Sequence, residues 1–317
     1  MKITLLEPIG ISAELLSSYK EELTAEGHEF IPYDTKTTDV DEMIARVGDS
    51  DIVMIANNPF PEAVVKAAPN LKYLNVAFTG VDHVALDACK EKGILVTNAA
   101  GYSTQCVAEE ALGLTVSVLR FLPVCDRTVR TGGTSAGLVG REIGGKTVGI
   151  IGTGAIGTKT AELFKAFGAE VIAYSRTERE EVKAMGVTYD TLENVMAKSD
   201  IVSVHVPNNA STKGMISAEL IGLMKPTAIL INTARGAIVD NAALAAALDE
   251  GRISGAGIDV FDMEPPIPAD YPLAKAKNTV LAPHVAFLTK ESMIRRAAIV
   301  FGNVQSYLKG EPKDVVC

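Results

Sequence analysis

The stretch Thr147-Val148-Gly149-Ile150-Ile151, followed at once by Gly152-Thr153-Gly154-Ala155-Ile156-Gly157, decides the fold. The first five residues read as a buried strand, and the glycines at 152, 154 and 157 form a G-x-G-x-x-G turn. In such a turn the first glycine permits the tight reversal and the second lets backbone approach a pyrophosphate. The third lets the helix pack on the strand, and the anion sits on unpaired N–H groups at the helix N-terminus. Glycine is common enough that the pattern alone could be a bare turn. Here a strand precedes it and a helical stretch, Ala155–Phe167, follows, which is the βαβ context the motif requires. Dinucleotide binding through Gly152, Gly154, Ala155, Ile156 and Gly157 is therefore expected.

Working outward, strand-like runs recur at Glu170–Tyr174, Asp200–Val206, Ala228–Ile231, Ala256–Asp259 and Thr279–Ala282. Helical stretches lie between them at Leu192–Lys198, Ser217–Leu223 and Asn241–Glu250. The first hundred residues alternate in the same way. Strands read at Ile3–Leu6, Asp51–Ala56, Tyr73–Ala77 and Ile94–Thr97, and helices at Ser12–Glu26, Asp39–Gly48, Pro61–Ala68 and Leu86–Lys92. Ser12 is a fitting helix cap and Gly27 a fitting stop. Alternation of this length predicts α/β architecture, with parallel sheets covered on both faces. A long helix, Ser103–Arg120, breaks the series; Pro123 is expected to kink or end it, and Thr131–Gly145, with six glycines, reads as a loop. The final helix, Thr289–Leu308, has no strand after it and is expected to return to the first domain. The expected organisation is one domain inserted in another: residues 1–99 with 284–317, and residues 100–283.

The 317 residues are 47% hydrophobic and 22% charged, which excludes disorder as the dominant state. A net charge of −9 disfavours sequence-independent nucleic-acid binding. Cys89, Cys106, Cys125 and Cys317 are too far apart for a C-x-x-C motif, and His28, His83, His205 and His284 are scattered, so no metal site is expected. Glu7 and Pro8 interrupt the N-terminal apolar run before a signal segment could form, and no apolar run is long enough to span a membrane. A cytoplasmic setting is the expectation.

The strand ending at Tyr174 leads into Ser175-Arg176-Thr177, eighteen residues past Gly157, where an NAD-binding chain carries Asp or Glu for the ribose. Ser175 and Arg176 can bond a 2′-phosphate that an acid would repel, so NADP(H) is favoured. The alternative is NAD(H), with Arg176 in solvent and Glu178 on the ribose. Three further segments follow strands: Asn232-Thr233-Ala234-Arg235-Gly236, Asp259 through Pro266 with Glu264, and Ala282-Pro283-His284. Ligands in open α/β sheets bind outside the carboxyl ends of the strands. Each residue alone has a bland reading as a surface ion pair, a loop acid or a core histidine. Together Arg235, Glu264 and His284 supply what ketone reduction needs: a cation for a carboxylate, a proton donor, and an acid to orient that donor.

With these segments the chain resembles the D-isomer-specific 2-hydroxyacid dehydrogenase family over essentially its whole length. Asn98–Ser103 through Val107-Ala108-Glu109, Gly144–Gly152, His205-Val206-Pro207, the Arg235 and Glu264 segments and Pro283-His284 carry the resemblance. It implies two Rossmann-like, doubly wound domains, the first flavodoxin-like and substrate-binding, the second dinucleotide-binding, with an active-site cleft between them. It implies that Arg235 binds the substrate carboxylate and polarises the 2-oxo group, that His284 is the general acid in reduction, and that Glu264 orients His284. Asp259 is implied at the nicotinamide end, with Thr233, Ala234, His205, Val206 and Pro207 as further cofactor contacts. Gly80 and Val81, in Phe78-Thr79-Gly80-Val81-Asp82, resemble backbone donors to the substrate carboxylate. Asn57 and Asn58 either form a substrate loop or simply turn the chain before Pro59. Two departures bear on the interface alone: Glu110 stands where the family often has His, and the loop near Thr134 lacks Trp.

The implied activity is NAD(P)H-dependent reduction of a small 2-oxo acid to its D-2-hydroxy acid, of the glyoxylate/hydroxypyruvate reductase type. Phosphoglycerate dehydrogenase and D-lactate dehydrogenase are the alternatives. Because the sequence ends at Cys317, the C-terminal regulatory domain of some phosphoglycerate dehydrogenases is expected to be absent. Formate dehydrogenase fits less well, since Glu264 stands where that relative has Gln. The related corepressors, which bind dinucleotide chiefly to recruit partners, are the non-enzymatic alternative. A homodimer is expected from the resemblance and from the Ser103–Arg120 helix.

Overall fold

Short runs of Ile, Val and Leu become central strands buried at nearly every position, as the inner strands of parallel sheets covered on both faces must be. In the computed structural model, which describes residues 1–317, they build two units: Met1–Ser103 with Leu288–Cys317, and Thr104–Phe287. The unit boundaries fall four residues after those expected at 99 and 283.

The first unit holds β1 (Lys2–Leu5), β2 (Glu29–Pro32), β3 (Ile52–Ile55), β4 (Tyr73–Val76) and β5 (Leu95–Asn98). They form one parallel sheet in the order β2-β1-β3-β4-β5, the flavodoxin-like order with its switch point between β1 and β3. Ser12 caps the helix Ala13–Ala25 by accepting from Leu15 N at 3.2 Å, and Asp39 caps Val40–Val47 by accepting from Glu42 N at 2.8 Å. The helix Lys290–Leu308 opens with a Thr289/Ser292 capping box and covers this sheet. Asn75 on β4 donates to Val300 O at 2.7 Å, Tyr307 stacks on Tyr73 at 4.3 Å, and Phe301 stacks on Tyr19 at 3.9 Å. Each such ring pair contributes about 0.5–1.5 kcal/mol beyond its buried area. The chain's last residues close the edge of β5, where Val96 N donates to Cys317 O at 2.7 Å and Val316 N to Val96 O at 2.8 Å.

The second unit holds β6 (Thr147–Ile151), β7 (Glu170–Tyr174), β8 (Thr188–Tyr189), β9 (Ile201–Val204), β10 (Ile229–Asn232), β11 (Gly255–Ile258) and β12 (Thr279–Leu281). Their order is β12-β11-β10-β9-β6-β7-β8, parallel throughout. Two strands run to one side of β6 and four to the other, so the switch point lies between β6 and β9, with the glycine turn at its carboxyl end. The helix Thr104–Leu119 packs on this sheet through Ala111, Leu114 and Val118. Pro123 does more than stop it. Phe121 takes a left-handed conformation (φ 55°) and a second helix, Leu122–Arg130, starts with Pro123 in its first turn. Residues 131–146 form no helix or strand. No helix is long and apolar enough to cross a membrane.

Candidate active site

The glycine turn is built as its residue types require. Gly152 has φ 97°, a conformation side chains rarely adopt, and a Cβ there would press on Val206 and the His205 carbonyl. A Cβ on Gly157 would run into the Gly152 carbonyl oxygen, so only glycine lets the helix Ala155–Ala166 start so close to β6. Gly154 is the cap residue of that helix, and no side chain caps the N–H groups that follow. Gly154 and Ala155 are exposed, with open space before Gly154. A helix of this length with uncapped, solvent-facing donors receives anions.

Two residues outside the motif brace the turn. The Thr153 hydroxyl, buried between the glycines, bonds the Tyr189 hydroxyl at 2.8 Å, and Arg179 N donates to that same phenol at 3.2 Å. Tyr189, on the two-residue β8, thus ties the glycine turn to the loop after β7. That loop carries Ser175, half-buried, and Arg176 and Thr177, both exposed. Glu178 is engaged by Lys183 Nζ at 2.8 Å. On the other side of the turn, His205 N donates to Ile151 O at 2.7 Å and His205 Nε2 meets the Ser203 hydroxyl at 2.8 Å. Burial lowers the His205 imidazole to about 3, so it is neutral at physiological pH. Pro207 is exposed, and its carbonyl accepts from the Thr212 hydroxyl at 2.5 Å.

At the carboxyl end of β10, Asn232 organises the next turn: its Oδ1 accepts from Ala234 N and its Nδ2 donates to Arg235 O, both at 3.0 Å. The Thr233 hydroxyl is buried there with no hydrogen-bond partner. The Arg235 guanidinium donates to Ala234 O at 2.9 Å. Gly236 follows, and its Cα lies so close to the backbone of Phe261 and Asp262 that any Cβ would overlap it. That approach fixes the Arg235 turn against the Phe261–Glu264 loop. Tyr271 steadies the same loop by donating to Asp262 Oδ1 at 2.7 Å.

Glu264 and His284 meet directly. Both carboxylate oxygens lie 2.9–3.0 Å from His284 Nδ1. His284 sits at φ 57°, in the left-handed region that few residues other than glycine adopt. Asp259 holds it there: its carbonyl accepts from His284 N at 2.8 Å, and its two carboxylate oxygens accept from Val285 N at 2.8 Å and Ala286 N at 3.0 Å. Burial pushes the Asp259 carboxyl up, while the two N–H bonds and the nearby imidazole oppose that shift. Glu110, half-buried, is likewise raised, first by burial and then by the Asp259 charge.

In the first unit, Gly80 and Val81 are half-buried in the loop after β4, where Asn98 Nδ2 holds Thr79 O at 2.7 Å. Asn57 accepts from Lys36 Nζ at 3.1 Å, and Asn58, nearly buried, donates from its side chain to Thr37 O at 3.0 Å. The residues that sequence reading missed are Tyr189, Gly236 and, in the first unit, Glu7 and His83. None has a motif; only Gly236, directly after Arg235, stood where its role was open to suspicion.

A parallel sheet with an open glycine turn at its switch point, an uncapped helix and an orphaned hydroxyl at the end of β10, two strands away, defines a dinucleotide-binding unit. The profile of the D-isomer-specific 2-hydroxyacid dehydrogenase NAD-binding domain matches residues 112–286. A glyoxylate reductase of Thermofilum pendens is 38% identical over 86% of this chain and 82% of its own. A hydroxypyruvate reductase of Blautia hydrogenotrophica is 34% identical over 91% of this chain and 92% of its own. Among solved structures, an acyclic imino acid reductase in complex with NADPH and D-Arg superposes with TM-score 0.90 at 31% identity, covering all of both chains. The chain belongs to the D-isomer-specific 2-hydroxyacid dehydrogenase family, and it is a nicotinamide-dependent oxidoreductase.

Proposed function

We propose that this enzyme reduces small 2-oxo acids of the glyoxylate and hydroxypyruvate type to D-2-hydroxy acids, with NADPH preferred to NADH. The observation that carries the chemistry is the Glu264–His284 pair. With Nδ1 held by both carboxylate oxygens, Nε2 is the nitrogen that delivers a proton to the carbonyl oxygen. The carboxylate fixes the ring's orientation for this step. Arg235 binds the substrate carboxylate, since its planar fork matches a carboxylate. In the first unit, the N–H groups of Gly80 and Val81 are the donors proposed for a substrate carboxylate, and the Asn57–Asn58 turn is the proposed substrate loop.

The nicotinamide cofactor, when bound, supplies the hydride. Gly152, Gly154, Ala155, Ile156 and Gly157 hold its pyrophosphate. Thr233, with its orphaned hydroxyl, joins Ala234, His205, Val206, Pro207, Arg235, Asp259 and His284 along the rest of the cofactor. Ser175, Arg176 and Thr177 receive the adenosine ribose. The preference for NADPH rests on the exposed Ser175–Thr177 segment, which offers a cation and hydroxyls and no acid, while Glu178 is occupied by Lys183. We further propose a homodimer, supported by the helix Leu122–Arg130, which buries none of its residues and exposes Leu122 and Val129. Four free thiols support a reducing, cytoplasmic setting.

Steady-state kinetics with glyoxylate, hydroxypyruvate, pyruvate and bulkier 2-oxo acids, each with NADPH and NADH, tests the reading. NADPH is expected to give a several-fold higher kcat/KM, and Ser175→Asp with Arg176→Ala to reverse the order. His284→Ala should lower kcat by about 10²–10⁴ while cofactor affinity holds. Equal or better kcat/KM with NADH would refute the cofactor preference, and His284→Ala within about threefold of wild type would remove the proton role.

A further inference from the structure

The loop that follows β3 begins at Ala56, whose backbone N–H and C=O are both held by side chains from other loops. On one side stands Glu7, directly after β1 and fully buried. Its Oε1 accepts from Ala56 N at 2.8 Å and from Asn58 N at 3.0 Å. Its Oε2 has no hydrogen bond and faces Lys36 Nζ at 3.6 Å. Lys36 in turn donates to the Asn57 side chain at 3.1 Å. On the other side stands His83, whose Nε2 lies 2.9 Å from Ala56 O. Because a carbonyl only accepts, that nitrogen carries the proton. His83 belongs to the loop after β4, one residue past the Phe78–Asp82 segment, and its ring meets Phe78 edge-on at 6.4 Å.

Burying a carboxylate is costly unless it is paired and bonded. A carboxylate committed to two N–H groups of a turn is costly to displace, so the turn it holds is stiff. Glu7 fixes the Asn57–Asn58 turn from the loop after the neighbouring strand β1, and His83 links that turn to the loop bearing Gly80 and Val81. We propose that Glu7 and His83 are positioning residues that set these two loops in register, so that the Asn57–Asn58 turn selects small substrates. The inference rests on the reading above that both loops receive the 2-oxo acid.

The test uses the intact enzyme and the variants Glu7→Gln, Glu7→Ala and His83→Phe. KM and kcat are measured for glyoxylate and for a branched-chain 2-oxo acid, with KM for NADPH and the thermal midpoint beside them. Glu7→Ala and His83→Phe are each expected to raise KM for glyoxylate about tenfold, the worth of one buried hydrogen bond. In both, kcat should stay within about threefold and KM for NADPH should not move, because the loss lies in substrate placement. Selectivity against the branched-chain acid should weaken. Glu7→Gln should rescue KM, since its amide oxygen accepts the same two N–H bonds. A purely structural role would lower the thermal midpoint and leave KM and selectivity untouched, and that result in His83→Phe overturns the inference even if Glu7→Ala fails to fold. A wild-type enzyme inactive on every 2-oxo acid would sink the proposed function and this inference with it. A wild type that turns over, with variants unmoved in KM, sinks the inference alone.

Discussion

Gly236 shows how a residue without a functional group controls one that has it. Its neighbour Arg235 must stand beside the loop that carries Glu264, and the two backbones touch at Gly236 and Phe261–Asp262. A methyl group there would meet main-chain atoms, which cannot swing aside as a side-chain tip can. Overpacking of this kind costs about 1–3 kcal/mol, and the Arg235 and Glu264 segments must part to relieve it. Gly236→Ala is therefore expected to lower the thermal midpoint by several degrees and kcat by at least tenfold, with little change in cofactor affinity. Melting curves and steady-state kinetics check it; wild-type values in both would show that the segments part without harm. While the role of Arg235 rests on the proposal above, the meeting of Glu264 and His284 was legible in the sequence, because the chemistry demands their types and because each follows a strand. The need for Gly236 was not, since it arises from an approach to backbone far along the chain, which one-dimensional spacing does not encode. The double duty of Asp259, its carbonyl and carboxylate both holding the His284 turn, was hidden for the same reason.

At the level of elements, the two strands that the sequence concealed lie at sheet edges. Central strands such as Ile52–Ile55 and Ile229–Asn232 are buried at every position and read as plain apolar runs. The edge strand Glu29–Pro32 buries only Phe30 and includes a proline, which an edge tolerates. Thr188–Tyr189 is two residues long and buries neither fully. Periodicity has nothing to register in such segments, yet the second of them carries the brace of the glycine turn. Removing the Tyr189 hydroxyl leaves the ring packed but frees Thr153 and the Arg179 amide. Tyr189→Phe is expected to raise KM for NADPH and NADH alike by about threefold to tenfold, in line with one or two lost hydrogen bonds. KM for the 2-oxo acid should stay put. Titrating cofactor affinity by nicotinamide fluorescence separates the two; unchanged affinity would show that the turn keeps its shape unaided.

The whole molecule exposes one helix that its own fold does not use. Leu122–Arg130 has no buried residue, and Val129 is 73% exposed. A second copy of the chain is the partner proposed above, and Val129→Asp is expected to shift the protein from dimer to monomer in sedimentation velocity, while a monomeric wild type would refute the dimer. The helix Lys290–Leu308 brings the chain back to the first sheet, which it covers. That same return of the chain has a consequence for birth on the ribosome. Residues 1–103 emerge first, but the helix whose Val300 carbonyl receives Asn75 and whose Tyr307 stacks on Tyr73 emerges last. At roughly 5–20 residues per second, the whole of the second unit is synthesised in between, a wait of about ten to forty seconds. During that wait the β4 face that Lys290–Leu308 will cover stays open to nascent neighbours, whereas Thr104–Phe287 has every strand of its own sheet as soon as it clears the exit tunnel.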